Sequence, residues 1–160
     1  MKRLTIVTFF IVMSILPSSV KSSEKGEMYA LIATGINKNA KDRQIKDKAI
    51  VDLRTFLLDI PSMKSDMIAM LANSRSLVQN ESQVSTAGNL KARIDLFTAK
   101  AISKDRFLFY YVGQANIADD MLRLNLPGVD ITHEQLAQWL SRIKASSMLI
   151  ILDCPGAGLA

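Results

Sequence analysis

The chain has 160 residues, with 20 Lys and Arg against 15 Asp and Glu, one His and one Cys, for a formal net charge of +5. That length limits it to one domain, and a single Cys excludes an internal disulfide framework. Lys2, Arg3 and Lys21 lie in an N-terminal segment with no acidic residue, so 17 basic residues face 15 acidic ones beyond it, a balance that gives no ground for binding nucleic acid or an acidic membrane.

Residues 1–22 read as a secretory signal. Lys2 and Arg3 make a positive start, Leu4 to Leu16 an apolar core and Pro17 to Ser22 a small-residue exit, the three-part pattern of an export segment. Val20 and Ser22 suit the small-residue positions before a cut after Ser22. The apolar run is short for a bilayer, so the expectation is a secreted or periplasmic protein without stable membrane insertion; an uncleaved anchor is the other reading. Residues 23–27 form a polar linker, and 28–160 form the domain.

Met28 to Asn37 is a compact apolar run and predicts a buried first strand. A polar loop then leads into a helix from Asp42, with Ile45, Ala49, Leu53, Phe56 and Leu57 on its apolar face, stopped by Pro61. Ser65 to Ser74 predicts a second strand and Ser74 to Ala87 a polar loop. Thr86 caps a helix to Ala101, whose Leu90, Ile94, Phe97 and Ala101 mark one face. Arg106 to Gly113 is the third strand, and Met121 to Leu126 a short strand or hairpin arm. Thr132 with Gln135 forms a capping box before a helix with Leu136, Trp139, Leu140 and Ile143 as its stripe. Met148 to Leu152 is the fourth strand. Alternating strands and helices predict a mostly parallel sheet covered by helices on both faces.

Two strand ends carry the functional signal. One is Asp105 to Asn116, "DRFLFYYVGQAN", with Tyr110-Tyr111 and Gly113-Gln114; the other is Ser147 to Gly158, "SSMLIILDCPGAG", with Leu152-Asp153 and Cys154. The arrangement resembles the caspase-like cysteine peptidases, the group of caspases, metacaspases and legumains. There one strand ends "YYSGHG" with the catalytic His, and the next ends "LDACHSG" or similar with the nucleophilic Cys. The resemblance implies a three-layer αβα sandwich of the caspase-like type, here with the C-terminal strands missing. It places Gln114 at the His position and Pro155 at the Cys position, with Asp153 closing the strand and shaping the edge.

Gln114 cannot take a proton at any relevant pH, and Pro155 offers neither a nucleophile nor an N–H. The sequence therefore predicts an inactive pseudopeptidase acting as a binding module, with a protein or peptide partner at the open sheet edge of its fourth strand. The fallback is a cysteine-type endopeptidase with a displaced Cys154 nucleophile and His133, the single imidazole, as base. The third reading is a truncated remnant of such a peptidase. Each candidate has a plainer role: Cys154 as a small apolar filler at a strand end, His133 as a first-turn residue beside the cap, and Asp119-Asp120 as a solvated loop, since a lone acidic pair lacks calcium-ligand spacing. The Gly156 to Gly158 turn is too weak a signal for phosphate. No cofactor or metal is expected.

Overall fold

The computed structural model describes residues 26–80 and 83–159. The predicted signal, 1–22, lies outside them. Five strands form one sheet with every pairing parallel: β1 (Met28–Thr34), β2 (Ile68–Ala72), β3 (Gln83–Val84), β4 (Arg106–Val112) and β8 (Ser147–Asp153), in the order β3-β2-β1-β4-β8. A smaller antiparallel sheet joins β5 (Ala115–Ala118), β6 (Met121–Leu124) and β7 (Ile131–Thr132). The helices are α1 (Ala40–Leu58), α2 (Arg75–Asn80), α3 (Ala87–Lys100) and α4 (His133–Leu140). The protein is an α/β fold with a parallel main sheet, as the alternating pattern predicted.

The pleat explains how one sheet feeds two cores. Ala30, Ile32, Met70, Leu108 and Val112 meet Ile50 and Leu57 of α1 on one face. Leu31, Ala33, Leu71, Phe107, Phe109 and Tyr111 meet Leu90, Ile94 and Phe97 of α3 and Leu136 and Leu140 of α4 on the other. Tyr29 and Phe107 flank Phe97 with ring centroids 5.4 and 5.5 Å away, tilted and edge-on, the geometry aromatic quadrupoles favour. Each fully buried Leu or Ile contributes roughly 1.5–3 kcal/mol, so β1, buried on both faces, is the seam of the domain.

Both capping expectations hold. The Thr86 side chain accepts from Asn89 N–H, and Thr132 and Gln135 make the full reciprocal box. The α1 face falls only partly where its periodicity placed it: Leu57 is buried and Leu53 packs beside it, but Ile45 is 61% exposed and Phe56 63%. The sheet side is Lys46, Ile50 and Leu57. Asn39 caps the helix by accepting from Asp42 N–H at 2.9 Å, and Lys46 lies inward, where its ammonium donates to Ile36 O at 3.2 Å and to Asp42 at 2.8 Å. A lysine buries its methylene stem readily when its head finds partners.

Residues 74–87, expected as a loop, hold α2 and the two-residue β3, an element too short to show a period. Asp119 and Asp120 have φ of 54° and 59°. They are the two central residues of the β5–β6 hairpin, where positive φ matches the twist of the strands. The turn accounts for the positive φ of that acidic pair, and Asp119 accepts from Arg123 at 3.2 Å. The strand β8 lies at the sheet edge, paired with β4 alone among the described residues. Its Leu149, Ile150 and Ile151 are 58%, 46% and 40% exposed.

Candidate functional site

In open α/β sheets, ligands and reactive groups gather beyond the carboxyl ends of the strands. Here β1, β4 and β8 end level with one another, because Thr34 pairs with Val112 and Val112 with Asp153. Gly35 N–H then donates to Val112 O at 2.9 Å and Gly113 N–H to Asp153 O at 3.1 Å. Beneath both glycines lies the buried Tyr111. Its hydroxyl sits 2.7 Å from Gln114 O and 3.1 Å from Asn125 O, donating between them. A Cβ at Gly35 would stand 2.7 Å from Tyr111 Cζ, and one at Gly113 2.6 Å from the same atom, so only glycine fits at either end. Burial first, and then the neighbouring Cys154 and Asp130, push the Tyr111 hydroxyl far above its ordinary range. That group is a structural clamp and not an acid.

The residues singled out from the sequence all reach this edge, in different states. Gln114 is half-buried at the end of β4, its carbonyl also accepting from Asn125 N–H at 3.0 Å. Cys154 is a free thiol, half-buried, packed against the core on the α3–α4 side. Burial pushes that thiol up, and the adjacent Asp153 carboxylate pushes it further. Both causes oppose the thiolate, the form a nucleophile needs. Asp153 accepts from Tyr110 OH at 3.2 Å, and Tyr110 is pushed up to about 12 by burial and by that same carboxylate. Pro155 is exposed in the turn that follows. Gly156 takes φ of 77° there, and a Cβ at this position would press on Ile117 and Leu122 at 3.2 and 3.3 Å.

His133 opens α4, half-buried, and its Nδ1 is buried without a hydrogen-bond partner. With Leu136 and Leu140 of α4 and Ile150 and Leu152 of β8 it lines an apolar cleft of about 390 Å³. The fold thus brings His133 beside β8, as the topology predicted for a helix start. Cys154 is not part of that cleft lining. Its sulfur faces the core beside Tyr111, and no His133–Cys154 hydrogen bond occurs among the described residues.

A second cleft escaped the sequence reading. Arg43, Gln44 and Asp47 of α1 face Asn73, Ser74 and Ser76 after β2 across about 550 Å³. Asn73 ties it to the end of β1, donating to Gly35 O at 2.8 Å and, through its backbone, to Thr34 Oγ1 at 3.2 Å. Asp47 Oδ1 is buried with no partner. Burial pushes the Asp47 carboxyl up, and the Ser74 hydroxyl and Arg43 guanidinium offset only part of that. Polar residues directly after a buried strand, opposite a helix carrying Arg and Asp four apart, were the available signal.

Among the described residues no three or more His, Cys, Asp or Glu side chains gather closely enough to hold a metal ion, and no helix is long and apolar enough to cross a membrane. No protein-family model matches the chain, and no curated protein matches it. What the fold and this edge define is therefore an α/β protein with a parallel sheet whose carboxyl end is closed by a tyrosine clamp.

Proposed function

We propose that this chain is an exported, catalytically inactive caspase-like module that works by binding a protein or peptide at the free edge of β8. The single observation that carries the reading is the state of the edge where β4 and β8 end side by side. Beyond those ends stand Gln114 and Pro155, which have no acid–base or nucleophilic chemistry to offer, and the one thiol nearby is half-buried with its ionisation opposed by burial and by Asp153. Loss of one member of a catalytic dyad costs several orders of magnitude; here both positions are occupied by residues that cannot substitute. Binding then falls to what the edge does present, a row of unpaired strand groups flanked by exposed apolar side chains.

The test is a peptidase assay on the full chain with fluorogenic peptides carrying basic, acidic or amide side chains before the scissile bond. The expected result is no turnover above that of Cys154→Ala. Turnover that Cys154→Ala and His133→Ala each abolish would overturn the inactive reading and establish the displaced nucleophile in its place.

A further inference from the structure

The sequence of β8 carries a second message once its edge position is known. Seven residues, Ser147 to Asp153, present one edge that is unpaired among the described residues. Met148 and Leu152 pack toward the core on the α3–α4 side, so Ile150 points to that side as well and Leu149 and Ile151 to the opposite face. We infer that the occupant of this edge is a second copy of the chain, its β8 paired antiparallel with the first about a two-fold axis through Ile150. The inference rests on the reading of β8 as a contact edge, and it names the partner.

The register is what selects a second copy. With Ile150 on the axis, Leu149 faces Ile151 of the second copy, Met148 faces Leu152, and Ser147 faces Asp153. Every inner pair is apolar against apolar, and the single charge of the strand meets a serine hydroxyl at each end. Neighbouring registers break this match. Moving the axis to Ile151 sets Asp153 against Leu149, and moving it to Leu149 sets Ser147 against Ile151. Directly opposed side-chain pairs are the unit of sheet stabilisation, and a carboxylate set against an apolar side chain forfeits that gain, so one register is favoured and the strand is self-complementary in it. Closed two-fold association uses one patch against itself, which a strand of this kind supplies without a second protein.

The rest of the edge agrees. A two-fold axis perpendicular to the sheet leaves both α4 helices on one side. The Met148 and Ile150 side chains of one copy then lie toward the cleft between Ile150, Leu152 and α4 of the other. On the opposite face, Leu149, 58% exposed, and Ile151, 40% exposed, gain each other as neighbours. Two seven-residue edges bury less than the roughly 800 Å² per partner of a standard stable interface. The dimer is accordingly concentration-dependent and in exchange with monomer.

Sedimentation velocity of the full chain across a dilution series, with and without Ile150→Lys, tests this. Ile150 is 46% exposed, so the lysine is accommodated in the monomer, while in the dimer two ammonium groups meet on the axis. The expected result is a reversible monomer–dimer equilibrium that Ile150→Lys weakens by roughly a hundredfold. A second measurement does not depend on that variant. In a Cys154→Ser background, oxidation should cross-link Ile150→Cys, whose directly opposed Cα atoms stand about 4.5–5.5 Å apart, and should not cross-link Ser147→Cys. A monomer at every concentration with no cross-link would overturn self-pairing and leave the edge open to a different protein. A dimer unaffected by Ile150→Lys would overturn the β8 edge as a contact surface altogether. Neither outcome bears on the absence of catalysis, which the turnover assay decides separately.

Discussion

Gly113→Ala probes the clamp that closes the carboxyl edge. A Cβ at this position would lie 2.6 Å from Tyr111 Cζ and 2.7 Å from Gly35 Cα, both well inside contact distance. Gly35 is backbone in the turn leaving β1, held by its N–H on Val112 O, and Tyr111 is fully buried with its hydroxyl held by two carbonyls. Neither neighbour gives way freely. Overpacking of this kind costs about 2 kcal/mol, and loosening the Tyr111 hydroxyl adds about 1 kcal/mol. The expected loss is about 3 kcal/mol, a large share of the 5–15 kcal/mol typical of a domain. Urea unfolding followed by circular dichroism at one protein concentration measures it as a lowered midpoint with an unchanged slope. Tyr111→Phe alone should cost only about 1 kcal/mol, because Gln114 O keeps Asn125 N–H and Asn125 O keeps Ile36 N–H. The double variant should lose less than the sum, since removing the hydroxyl relieves part of the crowding. A loss below about 1 kcal/mol for Gly113→Ala, or strict additivity in the double variant, would refute the clamp.

Two further outcomes concern charge. Asp47→Asn should raise the urea midpoint at neutral pH. The Asp47 carboxyl is pushed up by burial, so the stability it contributes is present below its unfolded pKa, about 3.9, and is lost as pH rises through the folded value. The gain from Asn should vanish in acid, where both states carry the proton, and an equal gain at pH 3 and pH 7 would contradict this. Asp153→Asn should speed iodoacetamide labelling of Cys154 at fixed alkaline pH and move the labelling inflection down, because one of the two causes that hold the thiol up is removed. An inflection that stays in place would leave burial as the whole cause.

How much of this was legible in the sequence differs from element to element. The α3 and α4 starts were readable because Thr86 and the Thr132–Gln135 box are local chemistry, satisfied within one turn. The strands β1, β4 and β8 were readable because continuous apolar runs with aromatic and branched residues have few other uses, although only β1 and β4 are buried and β8 is largely exposed. The α1 face was misplaced in part: Ile45 and Phe56 read as members of an apolar stripe and are exposed, Leu57 is buried as expected, and Lys46 takes an inward position because Ile36 O and Asp42 are there to receive its ammonium. The clusters at the candidate edge were partly legible. Gln114, Asp153, Cys154 and Pro155 announce themselves by motif, whereas the cleft of Arg43, Asp47, Asn73 and Ser74 joins segments about thirty residues apart and has no linear signature.

The sequence alone determined the α/β class of the fold and the alternation of strand and helix. Periodicity, capping and residue chemistry are local properties, and they survive in one dimension. Only the tertiary structure decided that Tyr111 occupies the space beneath Gly35 and Gly113, that Cys154 turns toward the core while His133 faces a separate cleft, and that β8 stands at an edge with Leu149 and Ile151 uncovered. Those facts depend on which distant segments share a volume. Packing, desolvation and exposure arise between segments, so no stretch of the chain read by itself contains them.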